Sequence, residues 1–199
     1  MKIYLVGKRI YLRGLVSQDV TEASPYFMWL NDLRLDLYTN RSDFPNSIKS
    51  LQLYVEKSQS SRDLLLLGIF DKSSDRHIGN ITLQEFDWIN RRAFMGYLLG
   101  DLEYARKGYA TEAVQMIMYH GFNRLNLERI HTTISERNIG SLKVAQKSGL
   151  RKEGCLRKHL LRDGRWSDLL VFGALRDEWR AELGKDSEAL FQNDSPAEI

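Results

Sequence analysis

An α/β chain of the α+β type, with one mixed sheet flanked by helices, is what these 199 residues predict. Three observations carry that expectation. Segments Leu64–Phe70, His77–Phe86 and Arg92–Leu99 are strand-like and joined by short polar stretches, as an antiparallel meander requires. Directly afterwards the apolar period lengthens to that of a helix: positions 110, 113, 114, 117, 118 and 122 mark one face of Tyr109 to Leu125. Strand and helix patterns then alternate, which places the sheet among helices.

Taken in order, residues 3–13 alternate roughly and read as one first strand. Ser17 to Asp19 look like a helix start with Ser17 as the cap, and a helical stretch follows over 18–31, broken near Pro25. Ser47 begins a second helix to about Ser58, with Leu51, Leu53, Tyr54 and Val55 as its apolar positions. Asp71–Arg76 and Asp87–Arg91 are the turns of the meander. After the long helix, 129–135 is a strand. Ile139–Ser148 is a helix, with Gly149 where a C′ glycine belongs. Leu150–Leu160 and Ser167–Leu175 are the last strands, turning at Asp163-Gly164. Residues 1–180 make a single domain, and the polar residues 181–199 read as a flexible tail.

Composition narrows the function classes. With 43% hydrophobic and 28% charged residues, the chain is ordinary for a globular protein with a sizeable core. A net charge of +3 is too small to indicate a nucleic-acid partner. Basic residues do cluster at Arg151, Lys152, Arg157, Lys158, Arg162 and Arg165, among Glu153, Asp163 and Asp168. That run is a solvated face, or a patch that attracts an anionic cofactor or substrate. The lone Cys155 excludes an internal disulfide, and four scattered His residues without H-E-x-x-H give no reason to expect a metal. The first residues are not a signal peptide, and the longest apolar run, Leu64–Phe70, is too short for a bilayer. The expectation is a cytoplasmic protein with no membrane partner.

Chemistry concentrates in Leu98–Ala113. A strand ends, a loop with Arg106, Lys107 and Gly108 follows, and a long helix starts at Tyr109. Unpaired amides at a helix start point at an anion and the helix dipole favours it. Gly108 lets the backbone approach closely, and Arg106 and Lys107 add charge. The alternative is a tight strand–helix turn. Neither G-x-x-x-x-G-K-[ST] nor G-x-G-x-x-G is present.

Ala105-Arg106-Lys107-Gly108-Tyr109-Ala110 resembles the pyrophosphate loop [Q/R]-x-x-G-x-[G/A] of GNAT acetyltransferases. The last three positions match and Ala105 departs at the first. Phe122–Ile130 resembles the segment between that family's long helix and the next strand. Asn138 to Leu150 resembles its N-x-x-S-x-x-x-x-x-K-x-G-F motif, with Leu150 in place of Phe. Glu153–Arg157 and Asp163–Asp168 resemble the closing hairpin of the branch holding ribosomal-protein N-terminal (RimJ/RimL-like) and spermidine acetyltransferases. The likeness covers about residues 8–180.

The resemblance implies a GNAT fold with splayed central strands, an N-acetyltransferase activity, and acetyl-coenzyme A (acetyl-CoA) as cofactor. Leu98, Leu99 and Gly100 would lie along the pantetheine arm. Arg106, Lys107, Gly108, Tyr109, Ala110 and Thr111 would hold the pyrophosphate. Asn138 would reach the pantetheine region, Ser141 the thioester sulfur, and Lys147, with Lys143, the nucleotide end. The Leu99 N–H is the candidate oxyanion donor. Many relatives carry a tyrosine where this chain has Ala145, so Ser141 is left to protonate or solvate the leaving thiolate. Glu85 is the candidate general base, with Glu136, His131 or a water relay as alternatives. Trp29, Asn31 and Asp32, with Asp36, are candidates for the acceptor site. Plainer roles stay open: Asn138 as a helix cap, Ser141 on the surface, solvated lysines, Trp29 in the core, Glu85 at a solvated strand end. The expected acceptor is a primary amine, either a protein N-terminal α-amine or a small molecule such as an amino-sugar. The alternative is a catalytically weak acyl-CoA sensor of the same fold. A homodimer is common in the family.

Overall fold

The structure is a computed structural model and describes residues 2–33, 35 and 44–188, the side chains of 184–188 excepted. Asp36 lies outside the described residues. The elements are β1 (Leu5–Val6), β2 (Ile10–Gly14), α1 (Pro25–Leu30), α2 (Ile48–Ser60), β3 (Leu64–Asp71), β4 (His77–Asp87) and β5 (Arg92–Leu99). There follow α3 (Tyr109–Asn123), β6 (Arg129–Ser135), α4 (Ile139–Lys147), β7 (Arg151–Arg162), β8 (Arg165–Leu175) and α5 (Arg176–Glu188). The strands form one sheet in the order β1-β2-β3-β4-β5-β6-β8-β7. The β5–β6 pair is parallel and its neighbours are antiparallel. The α/β class of the α+β type and its antiparallel meander stand as expected.

Three local expectations change. The strand expected over 3–13 is a hairpin: Gly7 N–H donates to Ile10 O at 2.8 Å and the chain folds back on itself. The turn rests on α3, where a Cβ at Gly7 would stand 2.6 Å from Glu112 Oε1. The helix expected over 18–31 reduces to a 3-10 turn at Ser17–Asp19 and to α1. Its cap is Ser24 rather than Ser17, with Pro25 opening the helix. Asp19 caps the start of the 3-10 turn through the Val16 N–H, and the turn ends at Val20, which goes extended (φ −112°, ψ 100°) and buries its side chain in the core. At the other end, α5 crosses the boundary drawn at residue 180. Trp179 is buried and donates to Ser148 O at 3.0 Å, and Leu183 packs on the core. The first part of the expected tail is therefore helical.

The core has two parts, one on each face of the sheet. On one face, α3 contributes Ala113, Val114, Met116, Ile117 and Met118 against Ile81, Leu83, Met95 and Ile130. Each large side chain there contributes about 1.5–3 kcal/mol by leaving water. On the other face, α1 and α2 bring Tyr26, Leu30, Leu51 and Val55 onto Leu66 and Phe70. Among the described residues no helix is long and apolar enough to cross a membrane.

Candidate active site

A gap opens in the middle of the sheet. β5 pairs with β6 only at Arg92↔Arg129, Ala93↔Ile130 and Phe94↔His131. Beyond that vertex β5 continues to pair with β4 as far as Leu99, and β6 with β8 as far as Ser135. One edge of residues 95–99 is thus left without a strand partner. Peptide groups alternate sides along a strand. Gly100 N–H donates to Ile78 O at 3.0 Å, and Gly96 O accepts from Thr82 Oγ1 at 3.3 Å. Gly96, Leu98 and Gly100 therefore face β4, while Tyr97 and Leu99 direct their N–H and C=O groups into the gap. Of the three residues expected along the pantetheine arm, Leu99 has free backbone groups there. Leu98 and Gly100 spend theirs within the sheet.

The loop after β5 is shaped for an anion. Arg106 and Gly108 both have left-handed φ, 61° and 86°, which turns the chain sharply just before α3. Gly108 is the N-cap of α3 and no side chain caps that end, so the first-turn N–H groups of Tyr109, Ala110 and Thr111 have no partner within the helix. Arg106 and Lys107 are exposed.

A third cation, not anticipated from sequence, holds the loop. Arg9 Nη1 donates to Lys107 O at 2.7 Å, and its guanidinium stands 4.6 Å over the Tyr109 ring. Its Nε donates to the buried carboxylate of Glu112 at 2.9 Å. The one sequence signal was an acidic residue beside the buried stripe of the long helix.

Across the gap, Asn138 is the N-cap of α4: its Oδ1 accepts from Ser141 N–H at 3.0 Å. That oxygen is spent on capping. Ala145 is buried in the core. Lys143 and Lys147 are exposed, the latter at the end of α4 farthest from the cap. Tyr97, which the sequence did not single out, follows Ala93 and Met95 on the face packed against α3. Its hydroxyl is buried with no hydrogen-bond partner. Burial pushes its pKa up to about 12, and the Ser141 side chain beside it works in the opposite direction without completing a hydrogen bond.

On the opposite face the vertex carries His131, edge-on to Phe94 at 5.5 Å. Burial holds its imidazole below the ordinary range, with Arg129 and Arg92 pushing the same way and Glu85 opposing. Its Nδ1 is buried without a partner. Glu85 is exposed, in a bulge of β4 with φ 55°. Glu136 is engaged elsewhere, accepting from Asp168 N–H at 2.9 Å. Trp29 and Asp32 line a cavity of about 650 Å³ with His77, Arg76 and Asp101. Asn31 is not brought there: it caps the end of α1 and bonds Asn46.

The fold agrees with comparison to known proteins. Residues 9–151 match the family model described as the Acetyltransferase (GNAT) domain. The Bacillus subtilis (strain 168) protein YjcK, named a probable N-acetyltransferase, is 34% identical over 182 residues, covering 87% of this chain and 98% of YjcK. A crystal structure named as a probable acetyltransferase superposes with a TM-score of 0.78 at 24% identity, covering 90% of this chain and 99% of that one. Spermidine N-acetyltransferase from Vibrio cholerae, solved with CoA and spermine, gives 0.77 at 20% identity, covering 86% and 98%. At those identities the two structures speak for the fold alone.

Proposed function

Because the chain belongs to the acetyltransferase (GNAT) domain family and is an N-acetyltransferase, we propose that it moves an acetyl group from acetyl-CoA onto a primary amine in the gap between β5 and β6. The observation that carries this is the bare β5 edge leading straight into the amide-lined loop at Gly108. Phosphates fit the loop, where Arg9, Arg106, Lys107 and the α3 amides converge. An extended amide-bearing arm fits the edge, where Tyr97 and Leu99 offer peptide groups as a strand partner would.

Acetyl-CoA supplies the activated acetyl group. The protein must hold it, provide an N–H donor for the developing oxyanion, and accept a proton from the amine. The Leu99 N–H is the donor. His131, neutral at physiological pH and facing away from α3, is the better-placed base, and Glu85 acts on it through charge. The acceptor is a protein N-terminal α-amine or a small amine such as an amino-sugar. Trp29 and Asp32 form one wall of its approach.

Calorimetry with acetyl-CoA tests the cofactor site directly. The wild type binds in about the micromolar range. Gly108→Asp, which sets a carboxylate against the anion, abolishes binding. A panel of spermidine, glucosamine and a peptide with a free N-terminus, followed by thiol release, then tests turnover. Binding without turnover of any amine would leave the sensor reading standing.

A further inference from the structure

We propose that the Tyr97 hydroxyl, beside Ser141, is a catalytic hydrogen-bond donor to the departing sulfur; this rests on the reading that acetyl-CoA occupies the gap. The first support is an unmet need. The Tyr97 ring packs into the core from β5, yet its hydroxyl is sealed from solvent and completes no hydrogen bond, with Ser141 beside it. A buried hydroxyl left that way is costly, so its retention calls for a group that the folded chain does not itself provide.

The second support is position. The anion-binding loop follows Leu99 at one end of the bare edge, and Phe94 and His131 close the other. Tyr97 lies between them. A ligand with its phosphates on the loop and its reactive end toward the vertex passes Tyr97 on the α3 face, with His131 on the opposite face. The amine then approaches from the His131 side and the sulfur departs on the Tyr97 side, as displacement through a slot in the sheet requires.

The third support is the apolar lining that α4 gives the gap, bordered by the Ser141 hydroxyl. The α4 residues that pack toward the core beside the gap are Leu142, Val144 and Ala145, none with a hydrogen-bonding side chain. Ser141 lies next to the Tyr97 phenol, and its own N–H is tied to Asn138. It can orient the phenol from a fixed backbone.

Burial pushes the Tyr97 phenol up to about 12, above the ordinary range of thiols. Tyr97 therefore donates a hydrogen bond and keeps its proton. As the nitrogen–carbon bond forms, the carbon–sulfur bond breaks and its electron pair goes to sulfur. The amine proton goes to His131 or water, and sulfur is protonated from solvent on release.

The test is the full-length protein with coenzyme A, titrated with pH while thiolate absorbance is followed. The wild type holds the bound thiol pKa below that of free coenzyme A. Tyr97→Phe raises it by about one to two units, the worth of one hydrogen bond to a charged group. The same variant lowers kcat for the amines it acetylates about 10–100-fold with little change in KM for acetyl-CoA. Its thermal midpoint stays level or rises, since an unpartnered hydroxyl has been removed. An unchanged bound-thiol pKa with wild-type kcat would overturn the proposal, as would a lower thermal midpoint with loss of coenzyme A binding, which marks a structural role. If the wild type fails to bind coenzyme A, the cofactor reading falls first and this inference falls with it.

Discussion

Arg9 Nε and Glu112 Oε2 lie 2.9 Å apart and join the turn before β2 to the first turn of α3 across 103 residues. Glu112 also takes the backbone N–H of Arg9 at 2.8 Å and of Ile10 at 3.4 Å, so its buried carboxylate is fully partnered. The rest of the Arg9 head holds Lys107 O and covers Tyr109. One ion pair thus fixes both the helix start and the loop that precedes it.

Replacing Arg9 with Met should act on both. Glu112 keeps its two backbone donors, and Arg9 is half exposed, so the loss in unfolding free energy is about 1–3 kcal/mol, short of a fully buried pair. Urea unfolding measures it. Calorimetry should show acetyl-CoA affinity falling about tenfold, since one charge-assisted contact and the loop geometry go together.

His120 should make the fold acid-sensitive. Its Nε2 meets the Tyr4 hydroxyl at 3.1 Å, while its Nδ1 is buried and unpartnered. Burial first, and Arg124 second, hold its pKa down to about 4. Between pH 6.5 and 4 the unfolded chain binds a proton that the folded protein refuses. Stability therefore falls as pH drops, by about 1.4 kcal/mol per unit from this group. His77 and His131 are also lowered and push the same way. In His120→Gln, urea midpoints across this window should lose the His120 share of the slope and keep theirs.

Trp29 packs flat against the backbone at Gly100, where any Cβ would collide with the indole, and His77 backs the ring at 5.1 Å. Gly100→Ala should cost about 1–3 kcal/mol, as overpacking does. Combined with Trp29→Leu, much of that cost should disappear. A thermal-denaturation double-mutant cycle reads the coupling.

Cys155 is exposed, yet its thiol donates to Asp168 at 3.3 Å, and that hydrogen bond, with local desolvation and the carboxylate charge, raises its pKa. Alkylation by iodoacetamide at neutral pH should be slow for an exposed thiol and measurably faster in Asp168→Asn. The asparagine oxygen can still accept from Lys158 N–H, the bond that Asp168 Oδ1 makes at 2.8 Å.

Much of this was legible in the residues alone, and for one reason: it is local. The meander strands, α2 with its Ser47 cap, α3, and α4 between Asn138 and the left-handed Gly149 all follow from period, cap and turn chemistry within a few positions. So did the loop at Gly108, because a glycine before a helix start is a short-range pattern. Where local pattern met tertiary demand, the latter won. The burial of Val20 ended the helix start at Asp19, and α3 turned residues 3–13 into a hairpin around Gly7.

The sequence by itself determined the fold class, the family and the glycine turn that opens α3. Only the tertiary structure decided that β5 and β6 part after Phe94 and His131, that Arg9 secures the loop through Glu112, and that Tyr97 meets Ser141 across the gap. The physical reason is distance along the chain. Those contacts join residues 37 to 103 positions apart, and their partners are chosen by how strands and helices pack, which no window of neighbouring residues encodes.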